Sequence, residues 1–260
     1  MYNRLSKSAV YLGTLLILPT AAAAFEPFFT RFETFSQNEW YIGDFAQKDP
    51  LFTTAWDPTN VVVTPEGQLQ LSIEPAPVGS GKKFNGAEVQ LREKVHFGKY
   101  EVVMTPAKGH GLISAFFTYT GPWFNDPHDE IDWEFLGRDT RKVWVTRFAD
   151  GERLPGKWAD IDYDYHLEPR LYAFDWTEDH VIWYIDGEEI FRVEAKDRTV
   201  PVTPGKIYLS IWGGGEKQED WSGIAPDDSR GTVTYDCISY VPVGKSGQQC
   251  SDFEEFQYGN

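Results

Sequence analysis

His128-Asp129-Glu130-Ile131-Asp132-Trp133-Glu134-Phe135-Leu136-Gly137 is the stretch that decides how this chain is read. Three carboxylates stand at alternate positions, with Ile131, Trp133 and Phe135 between them. Successive side chains of a β-strand point to opposite faces, so Glu130, Asp132 and Glu134 share one face and the apolar residues the other. The apolar face can anchor the strand in a core while the acids line whatever the other face looks onto. Along a straight strand the Cα atoms of Glu130 and Glu134 are roughly 13 Å apart, and inward-leaning side chains bring the carboxyl groups to some 5 to 6 Å. A glycosidase that retains anomeric configuration needs about 5 to 5.5 Å between its two carboxyls, and an inverting one roughly 6.5 to 9.5 Å. The spacing permits retention without choosing it.

Outward from that stretch, β signals recur. Val61–Thr64, Gln68–Glu74, Ala87–Leu91, Lys99–Thr105, Leu112–Tyr119, Lys142–Phe148, Leu171–Trp176, Val181–Ile185, Glu189–Ala195, Lys206–Trp212 and Thr232–Val241 alternate or run apolar between turn residues. Asp150-Gly151 reads as a turn, and Asp186-Gly187 as the turn of a hairpin. Phe25 to Asp49 is aromatic and irregular. No long amphipathic helix, internal repeat or dividing linker is evident. Short strands with Gly, Pro and Asp turns predict an all-β sandwich or barrel in which one sheet can present a concave groove.

The 260 residues suffice for one sizeable core. With 24 basic and 40 acidic side chains the formal charge is −16, which argues against nucleic acid or an anionic membrane as partner. Residues 1–24 read as a signal peptide: Arg4 and Lys7 precede an apolar run from Ala9 to Leu18, and Ala22-x-Ala24 fits a cleavage site. The expected order is therefore a leader, a domain over 25–243 and a tail over 244–260. The mature protein is expected to be secreted or periplasmic, free of the membrane and monomeric. Export permits a bond between Cys237 and Cys250, which would staple the tail to the body; two free thiols are the alternative.

Alternating acid and apolar residues also describe an ordinary strand with one wet face. Three like charges on one face repel, however, and a strand that keeps them bears an electrostatic cost more often met at functional sites. One ionised and one protonated carboxyl would serve a double displacement, with Asp132 raising the proton affinity of both neighbours. Spacing alone does not say which Glu takes which role. A divalent metal is the weaker reading, because alternate residues on a strand splay rather than converge.

Glu130-Ile131-Asp132-Trp133-Glu134-Phe135-Leu136-Gly137 resembles the catalytic signature of glycoside hydrolase family 16, which includes lichenases, laminarinases, xyloglucan transglycosylases and bacterial exopolysaccharide glycanases. The resemblance extends to Pro106-Ala107-Lys108, Phe116–Pro122, Ala173–Trp176, Trp183–Gly187 and Pro204–Ile207. It implies a β-jelly-roll sandwich of two antiparallel sheets and a retaining, endo-acting mechanism on a β-linked polysaccharide. Glu130 would be nucleophile, Asp132 the assisting acid and Glu134 the acid/base, with no cofactor for catalysis. Glu88, Phe117, Tyr119, Trp212 and Trp221 match lichenase positions that line the substrate cleft. Pro27, Gly67 and Asp236 match a structural calcium site. The chain departs from lichenases at Gln90 and at Thr146-Arg147-Phe148. Arg147, on the strand next to the acids, is expected to meet an anionic sugar substituent if it reaches the cleft. Transglycosylation on the same glycans, or a lectin-like module without catalysis, are the rival readings.

Overall fold

The structure, a computed structural model, describes residues 25–196 and 199–257. The expected leader lies outside the described residues. Seventeen strands are present among those described: β1 (Phe28–Thr30), β2 (Trp40–Ile42), β3 (Phe45–Ala46), β4 (Thr54–Trp56), β5 (Val61–Val63), β6 (Leu69–Pro75), β7 (Phe84–Leu91), β8 (Gly98–Thr105) and β9 (Leu112–Thr120). They continue as β10 (Asp129–Leu136), β11 (Lys142–Ala149), β12 (Glu152–Asp160), β13 (Arg170–Trp176), β14 (His180–Ile185), β15 (Glu188–Glu194), β16 (Lys206–Gly213) and β17 (Gly231–Pro242).

The strands form the expected jelly-roll sandwich. One sheet runs β2-β7-β16-β9-β10-β11-β12. The opposite sheet runs β15-β14-β13-β8-β17, with β6 and β1 along the far edge of β17 and β5 outside β6. Pairing within both is antiparallel, whereas β4 lies parallel to the start of β7.

Alternation explains where β10 sits. Ile131, Trp133 and Phe135 are fully buried between the sheets. Trp133 packs on Tyr172 of β13, and its Nε1 donates to Ala173 O at 3.2 Å. Trp183 of β14 returns the tie, donating through Nε1 to Asp132 O at 3.1 Å. The backbone of the acid-bearing strand is thus held from behind at two points. Asp186 and Gly187 both take positive φ, as the predicted hairpin turn requires, and the Asp150-Gly151 pair does the same between β11 and β12.

Five strands were not legible in the sequence: β1 to β4 and β12. The first four have only two or three residues, too short for a period to show. Strand β12 is the edge of the acid-bearing sheet and is mostly exposed, with Pro155 and Gly156 interrupting it. Pro is tolerated at an edge because no further strand asks for its missing N–H.

Cys237 and Cys250 form a disulfide with Cα atoms 5.9 Å apart. It holds the tail against the outer face of the opposite sheet, where Cys250 and Phe256 pack with Val103 and Leu171. Glu101 lies beneath the tail and accepts hydrogen bonds from Ser251 N and Ser251 Oγ, each at 2.9 Å, and from Gln249 Nε2 at 3.2 Å.

Candidate active site

The register across β7, β16, β9, β10, β11 and β12 arranges the acid-bearing face in rows. Glu130 is level with Tyr119 on β9 and Phe148 on β11; Tyr119 is level with Lys206, and Phe148 with Arg153. Asp132 is level with Phe117 and Thr146, and that row continues to Tyr208 and Gln90. Glu134 is level with Ala115 and Trp144, and that row continues to Ser210 and Glu88 on one side and Trp158 on the other. A glycan laid across the strands would therefore meet the three acids at three heights of the cleft.

Proton affinities differ along β10. Burial, followed by the charge of Glu130, pushes the Glu134 carboxyl up to about 8, against a smaller opposing pull from Arg153. Asp132 is held well above the carboxylate range, by burial first and then by the charges of Glu130 and Glu134 and a hydrogen bond to Glu130. Its Oδ2 is buried and finds no donor. An ionised Asp132 would leave that atom unsatisfied, whereas a protonated one can donate to Glu130. Burial likewise lifts Glu88 to about 7, opposed by the hydrogen bond from Gln90 Nε2 (2.8 Å) and aided by Glu130. Glu130 is a repelling charge common to all three.

Glu130 has a second neighbour with no assigned role in the sequence reading. His128 Nε2 lies 2.5 Å from Glu130 Oε2, so its N–H donates to the carboxylate. The imidazole is itself stacked on Phe148, with centroids 4.4 Å apart. The signal was present in the sequence, since position 128 continues the same-face alternation of 130, 132 and 134. Trp144 and Trp158 also stand in the row of Glu134. Their rings lie 5.0 Å apart beside Glu134. Gly156 makes room for Trp144, because a Cβ there would come within 2.5 Å of its ring.

Among the residues expected to line the cleft, Glu88, Phe117, Tyr119 and Trp212 stand on strand positions facing the same way as the acids. Phe117 stacks on Tyr208 at 4.9 Å, and Tyr119 meets His128 edge-on at 5.2 Å. Trp212 is 6.1 Å from Trp221 of the following loop, at the end of the cleft below Glu134. Trp221 also borders a cavity of about 450 Å³ together with Leu136, Lys142 and Trp158.

Arg147 does not join them. It is level with Ile131, on the opposite face of the sheet, and is fully buried. Its Nε donates to Thr199 O at 3.0 Å and its Nη1 to Pro155 O at 3.3 Å. Strand parity decides this, because Arg147 belongs with Val143 and Val145, both core residues.

The calcium residues do not assemble as a set. Gly67 and Asp236 are brought near each other, with Gln68 Nε2 donating to Asp236 Oδ1 at 2.6 Å and Asp236 Oδ2 buried without a partner. Pro27, however, precedes Phe28, which pairs with Tyr240, so it stands level with Val241 and five positions from Asp236 along β17. The carbonyl that approaches Gly67 is that of Arg31. Pro27, Gly67 and Asp236 do not fit one ion, and no cluster of three or more His, Cys, Asp or Glu suited to a metal occurs among the described residues.

Comparison with known proteins identifies the family. The sequence profile described as "Glycosyl hydrolases family 16" fits residues 48–236. The chain belongs to glycosyl hydrolase family 16. A beta-glucanase of Brevibacillus brevis is 33% identical over 219 residues, covering 83% of this chain and 82% of that protein. A beta-glucanase of Bacillus amyloliquefaciens is 36% identical over 196 residues, covering 75% and 79%. Among solved structures, a prokaryotic beta-1,3-1,4-glucanase (lichenase) derived from a mouse hindgut metagenome superposes with a TM-score of 0.79 at 36% identity, covering 84% of this chain and all of that one (100%). This family 16 chain is thus a glycoside hydrolase of lichenase-like kind.

Proposed function

We propose that this family 16 hydrolase is an exported, endo-acting, retaining β-glycanase that cleaves β-1,3/1,4-linked glucan or a closely related bacterial exopolysaccharide. The observation that carries the reading is the separation of proton affinities along β10. Glu134 holds a proton to about 8 and Asp132 is also held well above the carboxylate range, while a charge repelling both is that of Glu130. Glu130 attacks the anomeric carbon as Glu134 donates its proton to the departing glycosidic oxygen. Once Glu130 is esterified its charge is gone, and the Glu134 proton is held by burial without the repulsion that Glu130 added. Glu134 is then an acceptable base for the water that releases the sugar. His128 and the Asp132 proton hold the Glu130 carboxylate from two sides.

Export is supported by the leader-like sequence of residues 1–24 and by the disulfide, which persists in oxidising compartments. The beta-glucanase names of the relatives support a β-glucan substrate, and the name of the similar solved structure, a beta-1,3-1,4-glucanase, supports the linkage type. The test is release of reducing ends from lichenan, laminarin and xyloglucan by wild type, Glu130→Gln and Glu134→Gln. Wild-type release from lichenan with both variants nearly silent is expected; equal release by all three proteins defeats the assignment. Proton NMR of the first anomer formed should show β before mutarotation. Added oligosaccharide acceptors distinguish hydrolysis from sugar transfer by the length of the products.

A further inference from the structure

The row that carries Glu130 is cationic where it leaves the catalytic strand. Tyr119 is level with Lys206, and because Tyr208 pairs with Gln90, Lys206 is level with Arg92. Both lie on the cleft side, since Ile207 and Leu209 beside Lys206, and Val89 and Leu91 before Arg92, are core residues. Lys94 completes the group. Its Nζ is 6.0 Å from the centre of the Phe124 ring, and Lys206 Nζ is 5.1 Å from the same ring. Arg92 lies over Tyr41, 5.6 Å from its centroid. In a chain of net charge −16 three cations are gathered at one corner of the cleft.

These cations do not serve the catalytic acids. The basic group that bears on Asp132 and Glu134 is Arg153, on the far side of the row. Lys94 is paired with Asp126 at 2.5 Å, and Arg92 Nε donates to Gln37 O at 2.8 Å. Lys206 makes no hydrogen bond or ion pair with any described residue. It is half-buried beside Arg92 and Lys94, both of which repel it, and Glu93 is the acid that attracts it. A half-buried ammonium with hydrogens to give and like charges around it is poised for an anion. Neighbouring strands are about 4.8 Å apart, so Lys206 stands two strands and roughly 10 Å from Glu130, a distance that about two sugar units would span.

The geometry points to an anion subsite at Lys206, Arg92 and Lys94 that receives a carboxylate substituent of the glycan two to three sugars from the scissile bond. The inference rests on the glycanase reading and specifies its substrate: a β-glycan bearing carboxylate groups rather than a neutral one. It also supplies the anion contact that the sequence assigned to Arg147, from residues that do face the cleft.

The probe is lichenan oxidised to the carboxylate at C6 in a fraction of its glucose units, compared with the same material reduced back to the alcohol. The quantity read is the ratio of kcat/KM on the two polymers at low ionic strength. Wild type should favour the oxidised polymer about tenfold, as a charge-assisted hydrogen bond would give, with the preference fading in salt. The double substitution Arg92→Gln with Lys206→Gln should bring the ratio near one, and Lys206→Arg should restore most of it. Affinity electrophoresis in gels of each polymer, in a Glu130→Gln background, reads the same ratio without turnover. A wild type that cleaves both polymers equally, or a double variant that keeps the wild-type ratio, overturns the subsite and leaves the glycanase reading standing. No reducing ends from either polymer overturns both.

Discussion

Two carboxylates are buried to nearly the same degree on opposite sheets, Glu101 on β8 and Asp132 on β10, at 1% and 3% exposure. Glu101 is surrounded by donors: Ser251 N and Oγ, Gln249 Nε2, and Lys99 Nζ at 2.9 Å. Asp132 stands between two more acids and leaves an oxygen without a partner. The first arrangement ties the tail to the fold. The second makes no such tie and instead holds a proton next to Glu130. A buried acid with its donors supplied supports the fold, while one denied them is the kind more often met at functional sites. The two kinds should respond in opposite ways to substitution.

The largest effect expected is on turnover. Glu134→Gln should lower kcat by about 10²- to 10⁴-fold, the usual worth of a general acid, and Glu130→Gln by at least as much. Neither should lower the thermal midpoint, since the neutral amide relieves repulsion along β10. If either variant loses stability in proportion to activity, the acids of β10 are holding the fold and the contrast with Glu101 disappears.

On the opposite sheet the signs reverse. Cys237→Ser with Cys250→Ser opens a link across a separation of 13 residues, and a closed loop of that size is worth about 3 kcal/mol. Glu101→Ala leaves several donors unanswered and should cost about 1 to 3 kcal/mol. Urea unfolding measures both, and activity at 25 °C should persist in each. Loss of activity from the folded variants would show that the tail reaches the cleft through the sandwich.

Much of this was legible in advance, and the failures share a cause. Strands with one buried face announce themselves by alternation, and twelve did so. Strand β12 did not, because as an exposed edge it has little apolar face to show. Its signal was the Asp150-Gly151 turn, the same device as Asp186-Gly187, lying directly after a clear strand. The acids of β10 could be placed on one face from parity alone. Arg147 could have been excluded from the cleft by the same parity, since it follows Val143 and Val145. The cations at Arg92 and Lys206 were invisible as a group because they are neighbours through strand register, which no local pattern encodes.

A smaller effect tests the stored repulsion itself. The Glu134 carboxyl releases its proton near 4.5 when unfolded and near 8 when folded. Between those values the folded state binds more protons than the unfolded one, so stability falls as pH rises through the window. Glu134→Gln removes that loss. The thermal midpoint of the variant should equal that of wild type near pH 4 and exceed it increasingly toward pH 8.5. A gap that stays constant with pH would mean that Glu134 is not the proton-holding group.

The finest test concerns Arg153, which stands level with Phe148 at the edge of the cleft and is exposed. Its charge lowers the proton affinity of Glu134 and Asp132, against the larger upward push of burial and Glu130. Arg153→Gln should therefore raise the Glu134 value further. In the proposed mechanism Glu134 enters the reaction protonated, so the alkaline limb of the kcat/KM profile should move to higher pH. Added salt should move the wild-type limb the same way, since an exposed guanidinium is screened more than a carboxylate within the protein, and should move the variant's limb less. Stability in urea should barely change, because Arg153 makes no contact comparable to those that Lys99 and Ser251 make with Glu101. An alkaline limb that stays in place, or moves down, would mean that the proton on Glu134 is set by burial and Glu130 alone.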